Sequence, residues 1–305
     1  MRSADVTGAA SGADGRTKRR RYADPDRRRL TRRGLLGLPA LLFVGVFLLY
    51  PLALLIETSF QAKTGEWSLE QYARIATTPV YGLIVWKTAW IAGLVTLIDF
   101  LVGYPFAVAL SRARGWWRLV LLAAILMPFW TNLLVRAYGW IVILHPNGLV
   151  NMLLIRLGLI SEPIELVQNT TGVLIGMVQI MLPYMVLPIA AQIGKMDRRL
   201  LNAARSLGAS APRTFLHVYF PLTLPGVFAG ALVTLVLSLG FFVIPALLGG
   251  RRDVLIAQLI DFNLTKVLNW EFAAALGTLL LVATMGLFLA AQRWFRLESL
   301  WTEAR

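Results

Sequence analysis

Apolar residues in this chain fall into long blocks separated by short polar stretches. Crossing roughly 30 Å of hydrocarbon takes about 20 helical residues at 1.5 Å each. Six runs are long enough: residues 34–56, 83–110, 119–144, 172–194, 225–248 and 272–292. The pattern predicts an all-α integral membrane protein with six transmembrane helices and both termini on the same side. The remaining sequence divides into a tail at 1–33, a loop at 57–82, a core over 83–292 containing a polar insert at 195–224, and a second tail at 293–305.

Composition agrees with the pattern. The 305 residues are 57% hydrophobic and 15% charged, with a mean hydropathy of +0.66, more apolar surface than a soluble domain can cover. There is no cysteine, which excludes a disulfide framework, a thiolate metal site and a cysteine nucleophile.

Lys and Arg set the orientation, because they collect on the cytoplasmic side. Eleven lie before residue 34, three in 111–118, five in 195–224 and three after 292, against two in 57–82, one in 145–171 and three in 249–271. Both termini and the 195–224 insert are therefore expected in the cytoplasm. Half of the net charge of +14 comes from the first 33 residues, with eleven basic and four acidic side chains. This segment carries one tyrosine, a poor platform for stacking bases. It reads as a disordered basic tail holding the amino end inside, next to membrane lipid and without nucleic acid. The run 34–56 is too long for a signal peptide and no small-x-small cleavage site follows it.

Between the spans, EWSLEQYARI in the first outer loop reads as an amphipathic turn whose Trp67 and Tyr72 suit an interface. The second outer loop turns at Pro146, Asn147 and Gly148 and continues as a short apolar helix too brief to cross. The third mixes charged and apolar residues, as a docking surface or any solvated face would.

The insert from Asn202 to Gly226 reads NAARSLGASAPRTFLHVYFPLTLPG. Asp197 is placed to cap a helix over RRLLNAARSL, and Gly208 to end it in the left-handed conformation. Ser210 is placed to cap a second short helix with Pro212 in its first turn, and Pro221 and Pro225 are expected to separate that helix from the next span. Spacing alone fits either a contact for another protein or a helix pair resting on head groups. The stretch resembles the EAA loop of ABC-transporter permeases, roughly E-A-A-x-x-x-G-A followed by L-P, which docks into an ATPase subunit. Asn202, Ala203, Ala204, Gly208, Ala209, Phe215, Val218 and Pro221 occupy the matching positions, and the resemblance implies that they couple to the ATPase. Asn202 stands where the family usually has Glu, and Phe220 where Leu is common.

Further stretches narrow the resemblance. GYPFAVAL (103–110), MPFWTNLLVRAYGW (127–140), YMVLP (184–188), FFVIPALLGG (241–250) and NWEFAAA (269–275) resemble, in the same order, the binding-protein-dependent, MetI-like type I permeases of spermidine/putrescine type. The resemblance implies a type I ABC permease fold in a bacterial inner membrane. It also implies a second homologous permease subunit, two ABC ATPase subunits and a periplasmic substrate-binding protein. Polyamine is the implied solute, with organophosphonates, opines or ferric iron as alternatives among related permeases.

Intramembrane charges are costly and mark functional candidates. Lys87, about 6 Å inside the outer boundary of its span, reads as a snorkelling anchor. Asp99 and Arg136 lie at different depths, about 24 and 12 Å from the outer ends of their spans, which argues against a direct pair. Arg136 is placed to orient a gate, contact a binding protein or bond to carbonyls. Asp99 is placed either to attract a cation or to face the partner permease or cytoplasmic-side arginines. A polyamine would meet aromatic faces, with Trp130, Tyr138 and Tyr184 as candidates along a path and Glu271 in a vestibule.

Enzyme chemistry finds no support. His145 and His217 fall on opposite sides of the expected topology, so they share no metal; no Ser/His/Asp set and no phosphate-cradling loop is present. The chain is expected to bind no cofactor or metal, and ATP hydrolysis would belong to a partner subunit. A secondary transporter should show coupling-ion sites along its helices, yet only one acidic residue lies in a predicted span.

Overall fold

The computed structural model describes Pro39 and residues 42–303, the side chains of Arg198 and of 294–303 excepted. The tail at 1–33 and the start of the first expected span lie outside the described residues. The first helix, α1, covers Leu42–Ser59 and contains a π-helical turn at Gly45–Leu49. By internal contacts the chain divides within α1, with residues 1–52 in one unit and 53–305 in the other.

Beyond the end of α1, the helices of the second unit are α2 (Glu70–Thr77), α3 (Pro79–Arg112), α4 (Trp116–Trp130), α5 (Leu133–Leu144), α6 (Leu149–Arg156), α7 (Thr170–Lys195), α8 (Arg198–Ser206), α9 (Ala211–Leu239), α10 (Val243–Leu248), α11 (Ile256–Phe262) and α12 (Trp270–Glu303). Among the described residues the only β contact is an isolated bridge between Gln61 and Trp67. Six stretches have the length and hydropathy to cross a membrane: Leu42–Ser59, Pro79–Arg112, Leu133–Arg156, Thr170–Lys195, Ala211–Leu239 and Trp270–Arg293.

Helices α3, α7 and α9 pack against one another more extensively than any other elements. Small residues permit this. A Cβ at Gly226 of α9 would lie 2.6 Å from Gln192 Cβ and 2.9 Å from the Pro188 oxygen of α7. One at Gly230 would lie 2.9 Å from the Met185 oxygen, and one at Gly103 of α3 would lie 3.2 Å from a Val186 methyl. Close backbone approach of this kind is how helices associate in lipid, where the hydrophobic effect gives no drive between them. One buried cluster groups Ile91 and Val95 with Met177, Met181, Ile244 and Leu248. Another, nearer the end of α3, groups Tyr104, Ala107 and Leu110 with Met185, Ile189, Tyr219 and Val227.

Three expectations are corrected. The run 119–144 is two helices, broken where the Asn132 side chain caps α5 by accepting from the Leu134 N–H at 2.8 Å, while the Thr131 hydroxyl returns to the Pro128 oxygen at 2.9 Å. The run 225–248 is not one span: α9 ends at Leu239, and Gly240, Phe241 and Phe242 separate it from α10. Pro221 and Pro225 do not part the insert from its span, since α9 continues through both. A π-helical turn at Phe215–Tyr219 precedes Pro221, with the Phe220 N–H bonding the Phe215 oxygen. Such a widened turn relieves the clash a proline ring makes with the carbonyl four residues back.

Candidate functional site

The polar insert is built by local rules. Asp197 caps α8 by accepting from the Arg199 N–H at 2.8 Å. At the other end Gly208 sits at φ +81°, and the Gly208 and Ala209 N–H groups bond the Arg205 and Ala204 oxygens at 2.9 and 3.1 Å. That is a Schellman ending, which satisfies carbonyls left free by the helix. Ser210, expected to cap the next helix, makes no side-chain cap; only its carbonyl accepts, from the Thr214 N–H at 2.8 Å.

The resulting surface is specific. Asn202, Ala203, Gly208, Phe215 and Pro221 are exposed, whereas Ala204, Ala209 and Val218 are half-buried. Two residues not anticipated from the sequence dominate the exposed face: Leu200 and Leu207, the latter 89% exposed. With Ala203 they follow the i, i+3, i+7 spacing of one helix face, a signal present in RRLLNAARSL but overshadowed there by the glycine and alanines.

Phe215, exposed on one side, packs its ring against an aromatic cluster. Its ring stacks on Tyr219 with centroids 5.6 Å apart and meets Tyr104 of α3 edge-on at 6.3 Å. Tyr104 also meets Phe220 at 5.6 Å. The Thr223 hydroxyl donates to the Phe220 oxygen at 2.7 Å, so the Tyr104 hydroxyl, 3.1 Å away, donates to Thr223 Oγ1. The insert is thereby fixed to α3 through rings and one buried hydrogen bond.

The candidates within the spans are dispersed. Asp99 is wholly buried and neither carboxyl oxygen has a hydrogen-bond partner. Among the described residues no arginine pairs with it. Arg136 is half-buried with an unpartnered Nε. Tyr184 is half-buried and meets Phe129 edge-on at 5.5 Å, while Trp130 and Tyr138 are exposed. Trp140 of α5 donates to Gln179 of α7 at 3.4 Å.

Lys87, expected as a snorkelling anchor, reaches the 249–255 loop. Its Nζ lies 2.6 Å from Asp253 Oδ1 and donates to the Arg252 oxygen at 2.6 Å. Asp253, buried in the loop after α10, also accepts from the Thr170 hydroxyl at 2.6 Å and from the Gly250 N–H at 3.2 Å. Burial alone would raise this carboxyl; the hydrogen bonds from Lys87, Thr170 and Gly250, together with the Lys87 charge, outweigh it and hold the carboxyl below its ordinary value. The cluster joins the start of α3, the start of α7 and the 249–255 loop. Its signal in the sequence, a lone Lys in a span and a lone Asp in a distant loop, does not reveal the pairing.

A many-span helical chain with one projecting polar insert, braced by rings to the helix core, has the build of a transporter's membrane subunit. The sequence profile of the binding-protein-dependent transport system inner membrane component family matches residues 35–296, and the chain belongs to that family. It is a multi-pass bacterial inner-membrane component of a transport system, and a transport subunit rather than an enzyme. It is 38% identical over 237 residues to the spermidine/putrescine transport system permease protein PotB of Haemophilus influenzae, covering 76% of this chain and 82% of the relative. To the protein of the same name from Escherichia coli it is 36% identical over 250 residues, covering 80% and 90%. Among solved structures, a bacterial ABC transporter involved in the import of the acidic polysaccharide alginate superposes with a TM-score of 0.74 over 89% of this chain and 97% of that one, at 17% identity, a likeness of fold.

Proposed function

We propose that the chain is a permease subunit of an ABC importer for polyamines such as spermidine and putrescine. The carrying observation is the 36–38% identity to spermidine/putrescine permeases across most of both chains. A periplasmic binding protein delivers the solute, a second homologous permease completes the pathway, and two ATPase subunits drive it from the cytoplasm, where both termini and the 195–224 insert lie. Within the insert, α8 enters a groove of an ATPase subunit. The exposed Leu200, Ala203 and Leu207 are its apolar contacts, Asn202, Ala204, Gly208 and Ala209 set its shape, and Phe215, Val218 and Pro221 carry its movement along the first turns of α9. Trp130, Arg136, Tyr138 and Tyr184 belong to the path or its gate.

A second reading keeps the permease role but changes the solute to an organophosphonate, an opine or ferric iron. It draws on the scarcity of carboxylates in the spans, where Asp99 is sealed from solvent. Purification of the tagged chain from its native membranes, with mass spectrometry of its partners, tests the assembly. Radiolabelled spermidine uptake into vesicles holding the recovered complex and binding protein tests the solute. An ATPase and a second permease should accompany the chain, and uptake should need ATP. Recovery of the complex with no spermidine uptake would favour the second reading; recovery of the chain without an ATPase would remove the coupling role.

A further inference from the structure

At the foot of α3 and α7, where two membrane-spanning helices end, a cleft of about 580 Å³ opens between the 111–114 segment, which includes the end of α3, and α8. Arg112, Arg114 and Arg205 line it together with Ser111, Asn202 and Tyr219, and its apolar wall comes from Ile193, Met196 and Leu201. No carboxylate is among its lining residues. The one ion pair found among the described residues, Lys87 with Asp253, lies elsewhere. Asp197, the acidic residue adjacent in sequence, is outside the lining and occupied in capping α8. Among the described residues these three guanidinium groups make no hydrogen bond or ion pair, and Arg112 lies 6.0 Å above the Tyr219 ring. The Tyr219 hydroxyl is itself buried without a hydrogen-bond partner.

We propose that this cleft is a binding site for the phosphate group of an anionic phospholipid. Three planar guanidinium groups around one cavity match a phosphate diester, which accepts paired N–H bonds. Position selects the lipid as the source. Arg112 is the last residue of α3 and Ile193 and Gly194 lie in the final turn of α7, so the cleft sits at head-group level. Basic pockets between spanning helices on the cytoplasmic side recognise anionic head groups. The wall of Ile193, Met196 and Leu201 suits the glycerol and first methylenes of the chains. A neutral Asn202 keeps the cleft fully cationic. The site also bridges α3 and α8, so an occupied cleft would stiffen the insert against the helix core. The proposal rests on the cytoplasmic placement of the insert proposed above and stands whether or not the solute is a polyamine.

Native mass spectrometry of the full chain in detergent tests it, titrating phosphatidylglycerol, phosphatidylcholine and inorganic phosphate separately. Phosphatidylglycerol should bind several-fold more tightly than phosphatidylcholine. Each of Arg112→Gln and Arg205→Gln should weaken it about fivefold, the effect of one basic residue near a membrane surface. Asn202→Glu, which adds an opposing charge without deleting an arginine, should weaken it at least as much and covers the case in which an arginine variant fails to fold. Arg112→Lys should retain most of the affinity. Equal binding of the two lipids, or variants that bind as the wild type does, would overturn the proposal. So would inorganic phosphate binding as tightly as the anionic lipid, which would make the site one for a soluble anion. Titration of the assembled transporter adds a last arm: loss of the lipid whenever the ATPase is present would assign the cleft to an acidic group of that subunit and also overturn it.

Discussion

The Tyr104 hydroxyl of α3 donates to Thr223 Oγ1 of α9 at 3.1 Å, in a buried setting beneath the polar insert. Thr223 spends its own proton on the Phe220 oxygen, so Tyr104 is the donor and Thr223 cannot replace it by rotating. Tyr104→Phe keeps the ring contacts with Phe215 and Phe220 and removes that one bond. Hydrogen bonds between membrane helices average about 0.6 kcal/mol. The expected result is a small fall in thermal stability in detergent, whereas Tyr104→Ala, which also removes the ring, should cost about 3–5 kcal/mol. If the two variants melted alike, the rings would not be bracing the insert.

The α7–α9 contact predicts an asymmetry among glycines. Gly226→Ala would place its methyl 2.6 Å from Gln192 Cβ and 2.9 Å from the Pro188 oxygen, while a Cβ at Gly93 of α3 meets nothing within 4 Å. Overpacking of this kind costs about 1–3 kcal/mol. Gly226→Ala should therefore lower the melting temperature of the purified protein, and Gly93→Ala should leave it in place. Equal stability of both variants would mean the helices separate more easily than their spacing implies.

How much of the fold and of the insert was legible in the sequence depended on whether the signal was local. The spans expected at 83–110 and 172–194 appear as Pro79–Arg112 and Thr170–Lys195, because long apolar runs leave a helix few alternatives. Asp197 and Gly208 declared their capping roles for the same reason. The break at Thr131 and Asn132 was hidden because two polar residues inside an apolar run scarcely lower its mean hydropathy, although Asn is a good cap. Pro221 and Pro225 misled because a proline disturbs a helix without always ending it, and the π-helical turn that accommodates Pro221 carries no plain sequence mark. The Lys87–Asp253 pair and the arginine cleft join residues far apart in the chain, which periodicity does not register.

The Asp253 cluster predicts a dependence on pH and on which partner is removed. Its carboxyl is held below the ordinary value of 3.8. The folded pKa is depressed, so the stability it contributes is present above 3.8 and is lost as pH falls through the lower folded value. Stability attributable to this cluster should be flat between about pH 5 and 8 and decline only below about pH 4. Lys87→Met leaves a buried carboxylate without its cation and should cost about 2–3 kcal/mol, at or below the range for breaking a buried pair. In Asp253→Asn, the half-exposed Lys87 keeps its bond to the Arg252 oxygen, so the loss should be smaller. Thermal melts of both variants at pH 7 give the comparison, and a larger loss in Asp253→Asn would reverse it.

Gly208 separates a coupling role from a merely structural one. At φ +81° its backbone lies where a β-branched side chain is disfavoured, yet a Cβ there would touch nothing within 4 Å. Gly208→Val should strain the turn by about 1–2 kcal/mol without disturbing packing, and the core formed by α3, α7 and α9 should stay intact. If α8 transmits ATPase closure to α9, the variant should retain the assembled complex and its ATP hydrolysis while uptake falls about tenfold, the factor that 1.4 kcal/mol represents. Leu207→Asp tests the preceding step, because it places a charge on the most exposed apolar side chain of the insert and should release the ATPase altogether. Hydrolysis and uptake measured together in vesicles distinguish the two variants: uncoupling in the first and dissociation in the second are expected, and uptake unchanged in both would leave the insert without a role in coupling.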